Sequence, residues 1–185
     1  MALRDVSYAR LMALSSSGDF NTHIFARMFA GASAGNGMMP SRLGLSLSDY
    51  QAVLSQYFSS FDWPEDPQQL GELDTDRLPE RDDLISLLME YRAGNSESER
   101  WMAEIISSAC MGMDHLWQDL GLWSRRDLSE MIQHNFPELA TKNNRDMKWK
   151  KFLYKQLCER EGIYVCRAPS CDVCSDYANC FGPEE

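Results

Sequence analysis

Apolar residues recur at helical spacing along most of the chain, and no stretch alternates apolar and polar residues for long enough to indicate a sheet. Residues 5–33 predict one or two helices, with a break near Gly18. A further helix is expected over residues 47–60. The core-facing positions predicted in these helices are Phe20, Ile24, Ala26, Phe29, Tyr50, Val53, Leu54, Tyr57 and Phe58. The pattern therefore predicts an all-α fold.

The segment 62–79 departs from this pattern because it is rich in proline, glycine and acidic residues. Such a composition is typical of a loop or linker. It separates an N-terminal helical region, residues 1–80, from a helical core over residues 81–163, which is followed by a cysteine-rich segment, residues 164–185. A chain of 185 residues suits one domain with its own hydrophobic core, so we expect these parts to form one compact unit whose folding does not require a metal.

Capping signals mark the helices of the second half. Leucines and a tyrosine at positions 84, 87, 88 and 91 predict a helix that Gly94 would cap at its C-terminus. Ser96 with Glu99, and Ser124 with Asp127, have the spacing of a capping box at a helix start. Pro137 would stop the second of these helices. Six or seven helices are expected in all, arranged as a bundle.

The last long helix is predicted over residues 144–161, with Gly162 as its stop. Its core-facing side would consist of Trp149, Phe152, Leu153 and Leu157. Lys148, Lys151 and Lys155 fall on a different face by the same helical count. This basic face is either an ordinary solvated surface or an attractor for an oxyanion or an acidic partner.

Charge is distributed unevenly along the chain. The whole chain has a net charge of −10, whereas residues 142–167 contain eight basic and three acidic residues. The overall negative charge argues against general nucleic-acid binding, which depends on basic side chains meeting phosphates. An anionic ligand would therefore need this local basic segment.

The chain begins with charged residues at positions 4 and 5 and has no apolar stretch of membrane-spanning length. We therefore expect a soluble, cytoplasmic protein that does not interact with membranes. No catalytic triad, phosphate-binding loop or suitably placed carboxylate pair is recognisable, so we expect no catalytic residues and no enzymatic turnover.

Five of the six cysteines lie in the last 28 residues, and four of them have the spacing C-x4-C-x2-C-x5-C. These four are Cys166, Cys171, Cys174 and Cys180. Crowded thiolates repel one another unless a cationic centre lies between them, and Pro169 with its small polar neighbours indicates a loop. A disulfide scaffold is disfavoured because cysteines that staple a small domain are usually spread along the chain.

The spacing leaves the kind of metal centre open. The first three cysteines match the C-x4-C-x2-C part of a plant-type ferredoxin motif, which favours an iron–sulfur cluster. Structural zinc is the alternative, although zinc sites commonly use two separated C-x2-C pairs and this chain has one. Cys158, His115 and His134 are further candidate ligands. A lone cysteine is more often a buried apolar residue, and a helical histidine more often satisfies a hydrogen bond or lies at the surface.

The motif resembles that of a known family when its surroundings are included. The cysteine spacing, the preceding MKWKKF and LC, and the following CFG with an acidic residue resemble the NifQ family from about residue 114 to the end. Residues 1–80 carry no motif that matches. Cys166, Cys171, Cys174 and Cys180 coincide with the cysteines of the family motif.

The resemblance implies a role in making the iron–molybdenum cofactor of nitrogenase. NifQ-like proteins are held to bind an iron–sulfur cluster that incorporates molybdenum and to donate this molybdenum to the scaffold complex on which the cofactor is assembled, together with the nitrogenase iron protein. Molybdate, a dianion, could be attracted by Lys148, Lys151 and Lys155. The alternatives are a small iron–sulfur electron carrier and a structural zinc-binding module that docks a partner.

Overall fold

Helices follow the apolar periodicity in the computed structural model, which describes residues 2–39, 42–61, 80–94, 96–162 and 177–184. Those residues contain ten helices and no strand, which confirms the all-α prediction. The helices are α1 (Leu3–Ala13), α2 (Phe20–Ser33), α3 (Leu47–Tyr57), α4 (Arg81–Glu90), α5 (Glu97–Ala109), α6 (Leu116–Asp119), α7 (Arg125–Asn135), α8 (Pro137–Lys142), α9 (Trp149–Glu161) and α10 (Tyr177–Phe181). The number exceeds six or seven because α6, α8 and α10 are short helices of one turn or little more.

The apolar faces predicted for the longer helices are the faces that the fold buries. On α9 the buried residues are Trp149, Phe152, Leu153 and Leu157, which is the predicted set. One hydrophobic cluster includes buried residues from α1 to α9, and the half-buried Cys180 and Phe181 of α10 pack against it. Each fully buried large apolar side chain contributes about 1.5–3 kcal/mol, so this shared core holds the two halves of the chain together.

Two helix starts coincide with the predicted capping residues. The Ser124 hydroxyl accepts a hydrogen bond from the Asp127 N–H at 3.2 Å, and the Asp127 carboxylate accepts one from the Ser124 N–H at 3.1 Å, which completes a capping box. Ser96 caps α5, but its hydroxyl accepts from the N–H of Ser98 at 3.2 Å. The predicted pairing with Glu99 is therefore wrong at this helix, because a nearer N–H meets the hydroxyl.

Two predicted helix boundaries are also wrong. Helix α4 ends at Glu90 with Tyr91 at its C-cap, so Gly94 does not cap it. Helix α9 begins at Trp149, and not near residue 144. The reason is the Asn143 side chain, whose Oδ1 accepts from the Met147 N–H at 2.8 Å and whose Nδ2 donates to the Met147 carbonyl at 2.9 Å. An asparagine that bonds the backbone in this way competes with helix formation. Gly162 has a φ of 69° and ends α9 in the left-handed conformation, as predicted.

Parts of the predicted organisation lie outside the described residues. These are the acidic linker over residues 62–79 and the segment that carries Cys166, Cys171 and Cys174. Cys180 lies within the described residues, and it belongs to the short helix α10, where the spacing had predicted a loop. A single helical turn is compatible with the motif because it carries only one of the four thiols.

None of the helices in the described part of the chain combines the length and the apolar character that crossing a bilayer requires.

Candidate metal and oxyanion site

The first turn of α9 holds the helix that carries Cys180. The Lys148 N–H donates to the Cys180 carbonyl at 2.8 Å, and Lys148 Nζ donates to the Ala178 carbonyl at 3.2 Å. Arg145, just before α9, adds to this attachment, since its guanidinium lies 5.4 Å from the centroid of the Phe181 ring. Cys180 is therefore held beside the N-terminus of α9, where the helix dipole has its positive end.

A cavity of about 230 Å³ lies beside this attachment. It is lined by residues 113–116, Lys148, Lys150, Lys151, Asn179 and Glu184. Three separate parts of the chain meet here: the entry to α6, the first turn of α9, and the C-terminal residues around α10. His115 belongs to the first part, directly before α6. The fold thus brings a candidate histidine, two of the three predicted lysines and the residues around Cys180 to one place.

The lysines of α9 differ in their partners. Lys150 is already engaged, because its Nζ donates to the Gly112 carbonyl at 2.7 Å and forms an ion pair with the buried Asp119. Lys155 lies outside the cavity and pairs with Glu159 one turn further on, at 3.5 Å. Lys151 is exposed, and no described carboxylate lies within ion-pair distance of it. Lys151 is therefore the lysine of this helix whose charge is most available to a ligand in the cavity.

Glu184 provides a carboxylate at the inner side of the cavity. Its side chain is only 2% exposed, Oε1 lies 3.9 Å from His115 Nδ1, and Oε2 lies 3.7 Å from Arg125 Nε. Neither distance is that of a hydrogen bond. Oε2 and Arg125 Nε are both buried and lack hydrogen-bond partners. Glu184 and Arg125 were not predicted as site residues, because nothing in their local sequence pattern shows that they meet.

The remaining candidate ligands lie elsewhere. His134 stacks on Phe20 with ring centroids 4.5 Å apart and lines a different cleft. Cys158 is half-buried near the end of α9, ten residues after Lys148, which corresponds to about 15 Å along the helix. The structure therefore brings His115 towards the segment of Cys180, whereas His134 and Cys158 occupy other positions.

Cys110 is the cysteine outside the C-terminal group, and it is buried beneath the Lys150–Asp119 pair. Burial raises the pKa of its thiol to about 12, although the nearby Lys150 acts in the opposite direction. A thiol in this state stays protonated at neutral pH, so it is a poor nucleophile and a poor metal ligand.

Within the described residues, no group of three or more histidine, cysteine or acidic side chains is arranged to hold a metal ion. Three of the four motif cysteines lie outside those residues. The chemistry of the described part nevertheless fits a thiolate-bound centre: Cys180 is a free, half-buried thiol, and it lies beside a helix N-terminus and the backbone of a lysine. The positive end of the α9 dipole favours negative charge at the site.

Comparison with known proteins identifies the family. The NifQ family profile matches residues 24–182, which extends the similarity well upstream of the segment around the cysteines. The chain is 42% identical over 157 residues to Protein NifQ of Azotobacter vinelandii, covering 79% of this chain and 80% of that protein. It is 39% identical over 162 residues to Protein NifQ of Rhodobacter capsulatus, covering 87% of each chain.

A third relative is Protein NifQ of Klebsiella pneumoniae, which is 39% identical over 158 residues, covering 80% of this chain and 90% of that protein. No solved structure matches the chain. The profile covers most of the chain, and all three relatives are well above 30% identity over at least four fifths of their length. The chain therefore belongs to the NifQ family.

Proposed function

We propose that this protein receives molybdenum as molybdate, processes it at an iron–sulfur centre and donates it for biosynthesis of the nitrogenase iron–molybdenum cofactor. Its membership of a nitrogen-fixation family supports this proposal. The observation that carries it is the position of Lys148, which lines the cavity of about 230 Å³ and also holds the helix of Cys180 through two hydrogen bonds. An anion in the cavity would lie next to a motif cysteine.

The centre would be held by Cys166, Cys171, Cys174 and Cys180. Of these, Cys180 is placed by the fold beside α9, and its thiol is free. An iron–sulfur centre supplies soft sulfide and thiolate ligands, which hold molybdenum once its oxygen ligands have been exchanged for sulfur. The chain itself supplies the thiolates, and Lys148 and the α9 N-terminus offset their negative charge.

The lysines would counter the field of a net-negative protein. A molybdate dianion is repelled by the net charge of −10 unless local positive charge outweighs it. Lys148 and Lys151 line the cavity and provide this charge, whereas Lys155 is paired with Glu159 outside it. We therefore assign the attraction of molybdate mainly to Lys148 and Lys151.

The partners proposed are the nitrogenase iron protein and the scaffold complex on which the cofactor is assembled, in the cytoplasm. A donor has to release its metal, so its site should be accessible to a partner. The residues of α10 before Cys180 are exposed, and Cys180 is only half-buried. This position allows the cargo to leave without unfolding of the hydrophobic core, because Cys180 packs only against the edge of that core.

The direct test is metal and sulfide analysis of protein purified and reconstituted without oxygen. We expect iron, acid-labile sulfide and molybdenum together, with visible charge-transfer absorption. Cys180→Ala should lower all three, whereas Cys110→Ala, which removes a thiol of raised pKa, should leave them unchanged.

Other results would identify the alternatives. Stoichiometric zinc in a colourless protein would indicate a structural zinc module. A stable cluster that is reversibly reduced, without uptake or transfer of molybdenum, would indicate an electron carrier. Equal loss of cluster in the Cys180 and Cys110 variants would contradict the assignment of Cys180 as a ligand.

A further inference from the structure

The Glu184 carboxylate is buried in an unusual way. Its side chain is 2% exposed, yet Oε2 has no hydrogen-bond partner. A buried carboxylate without hydrogen bonds is unfavourable unless nearby positive charge compensates for the lost water. The charge that compensates here is that of Arg125, whose Nε lies 3.7 Å from Oε2, and the His115 ring lies 3.9 Å from Oε1.

Arg125 is fixed by other partners and keeps one N–H for this carboxylate. Nη1 donates to the Asp146 carboxylate at 3.0 Å, and Nη2 donates to the backbone carbonyls of Asp146 and Met147 at 3.0 and 3.2 Å. Nε is buried and unbonded. The guanidinium would therefore stay in place if Glu184 moved away, and its Nε–H would be available to another acceptor.

The cavity in front of Glu184 has room for a tetrahedral oxyanion. Its volume is about 230 Å³, which is several times the roughly 30 Å³ that one water molecule occupies in the liquid. Lys148 and Lys151 line it, and Asn179 adds an amide. A divalent cation would be repelled by these lysines, whereas an oxyanion would be attracted by them and by Arg125. The opposing charges in the lining are Glu184 itself and Asp114.

We propose that His115, Arg125, Lys148 and Lys151 form the binding site of a tetrahedral, dianionic oxyanion, and that the Glu184 carboxylate is an internal occupant which the incoming anion displaces. This inference rests on the proposed function, and it specifies which residues receive the oxyanion and what competes with it. The unbonded Nε–H of Arg125 is the donor that the oxyanion gains when Glu184 leaves.

Displacement would also affect the segment of the motif cysteine. Glu184 is four residues after Cys180, and the two are linked through the turn in which the Gly182 N–H bonds the Ala178 carbonyl at 2.9 Å. Release of Glu184 removes one of the attachments that hold this C-terminal end on the protein. Arrival of the oxyanion is thereby coupled to loosening of the chain next to Cys180.

The test measures molybdate binding to the full-length, metal-free protein by equilibrium dialysis at low ionic strength. Glu184→Gln removes the competing charge but keeps the side-chain shape, so we expect molybdate to bind at least about threefold more tightly. Asp114→Asn is the matched control because it removes a lining carboxylate that forms no ion pair with Arg125 or His115 among the described residues, and its effect should be smaller. His115→Gln should weaken binding.

Several results would overturn the proposal. An affinity that is unchanged or lower in Glu184→Gln, or raised equally by Asp114→Asn, would show that Glu184 does not compete with the anion. The absence of molybdate binding in all variants, with circular dichroism confirming that each is folded, would do the same. Loss of iron from reconstituted His115→Gln, with unchanged molybdate affinity in the metal-free protein, would make His115 a metal ligand instead.

The outcomes separate this inference from the proposed function. If the metal-free protein fails the dialysis test but the reconstituted protein still takes up molybdenum at its cysteines, only the oxyanion site is wrong. If Glu184→Gln binds molybdate more tightly but no molybdenum enters the reconstituted centre, the oxyanion site stands and the donor function is wrong.

Discussion

Arg100 forms ion pairs with three acidic residues at the surface between α3 and α5. It pairs with Asp49, with Glu97 at 2.9 Å and with Glu104 at 2.5 Å. Asp49 also accepts hydrogen bonds from the Trp101 indole at 3.1 Å and the Ser46 hydroxyl at 2.8 Å. The bond from Arg100 is the main reason that the pKa of Asp49 falls to about 2, with partial burial acting in the opposite direction.

Asp49→Asn should destabilise the protein by about 1–2 kcal/mol at neutral pH, since it removes a charge-assisted contact. A carboxyl whose pKa is lowered on folding stabilises the native state above its unfolded value of about 3.9, and this contribution is lost as the pH falls towards about 2. The difference in the free energy of unfolding between wild type and variant, measured by urea denaturation, should therefore be smaller at about pH 3 than at pH 7.

Glu97→Gln is the control for this prediction, because Glu97 meets the same arginine but its side chain is 66% exposed. We expect it to cost no more than about 0.5 kcal/mol. An equal loss of unfolding free energy in the two variants would contradict this interpretation of Asp49. So would a loss in Asp49→Asn that does not change with pH.

Lys151 and Lys155 lie one turn apart on α9 and allow a matched comparison at the oxyanion site. Lys151 lines the cavity, whereas Lys155 pairs with Glu159 outside it. Lys151→Gln should weaken molybdate binding to the metal-free protein by about three- to tenfold at low salt, and the difference should shrink as salt screens the charge. Equal effects of Lys155→Gln would mean that the whole helix face, and not the cavity, attracts the anion.

At the scale of the elements, α2 and α7 are joined by two asparagines. Asn21 Nδ2 donates to Asn135 Oδ1 at 2.8 Å, and Asn135 Nδ2 donates to Asn21 Oδ1 at 2.9 Å. Both side chains are buried, and Asn21 Nδ2 also donates to the Ser98 hydroxyl of α5 at 3.2 Å. Buried amides of this kind fix the relative position of three helices, because any displacement leaves polar groups unbonded.

Asn135→Ala should lower the free energy of unfolding by about 2–3 kcal/mol, because it leaves the Asn21 amide buried without its main partner. Replacing both asparagines by alanine should cost less than the sum of the two single changes, since no unpaired amide then remains. Urea denaturation of the two single variants and the double variant checks this. Additive costs would show that the amides do not act as a pair.

At the scale of the whole molecule, the described helices share one hydrophobic core. The buried residues of the core come from α1 to α9 and their connections, and Cys180 only packs against its edge. We therefore expect the protein to fold without its metal, unlike small zinc domains, which are unfolded without theirs. The proposed metal centre would lie beside a scaffold that has its own core.

Replacing Cys166, Cys171, Cys174 and Cys180 together by alanine should leave the helical circular dichroism unchanged and alter the free energy of unfolding by no more than about 1 kcal/mol, although the variant binds no cluster. Phe25→Ala is the contrasting control. Its side chain is 0% exposed in the core, and its truncation should cost about 3–5 kcal/mol. Loss of most helical signal in the cysteine variant would show that the metal is needed for folding.

Local sequence patterns were sufficient to predict the helical class and the buried faces of α3, α7 and α9, and they contain the C-x4-C-x2-C-x5-C motif. Helical periodicity and caps depend on residues within a few positions of each other, and this is why Trp149, Phe152 and Leu157 were identified. Local signals were insufficient where a side chain competes with the helix, as at Asn143, which delays the start of α9.

Which of the candidate residues meet depends on how distant parts of the chain pack together. The helical count placed Lys148, Lys151 and Lys155 on one face, but it could not show that α10 lies against the first turn of α9 and leaves Lys155 outside the cavity. Glu184 and Arg125 are 59 positions apart in the chain, and their proximity results from how distant helices pack. A pattern read along one helix contains no information about what another part of the chain places beside it.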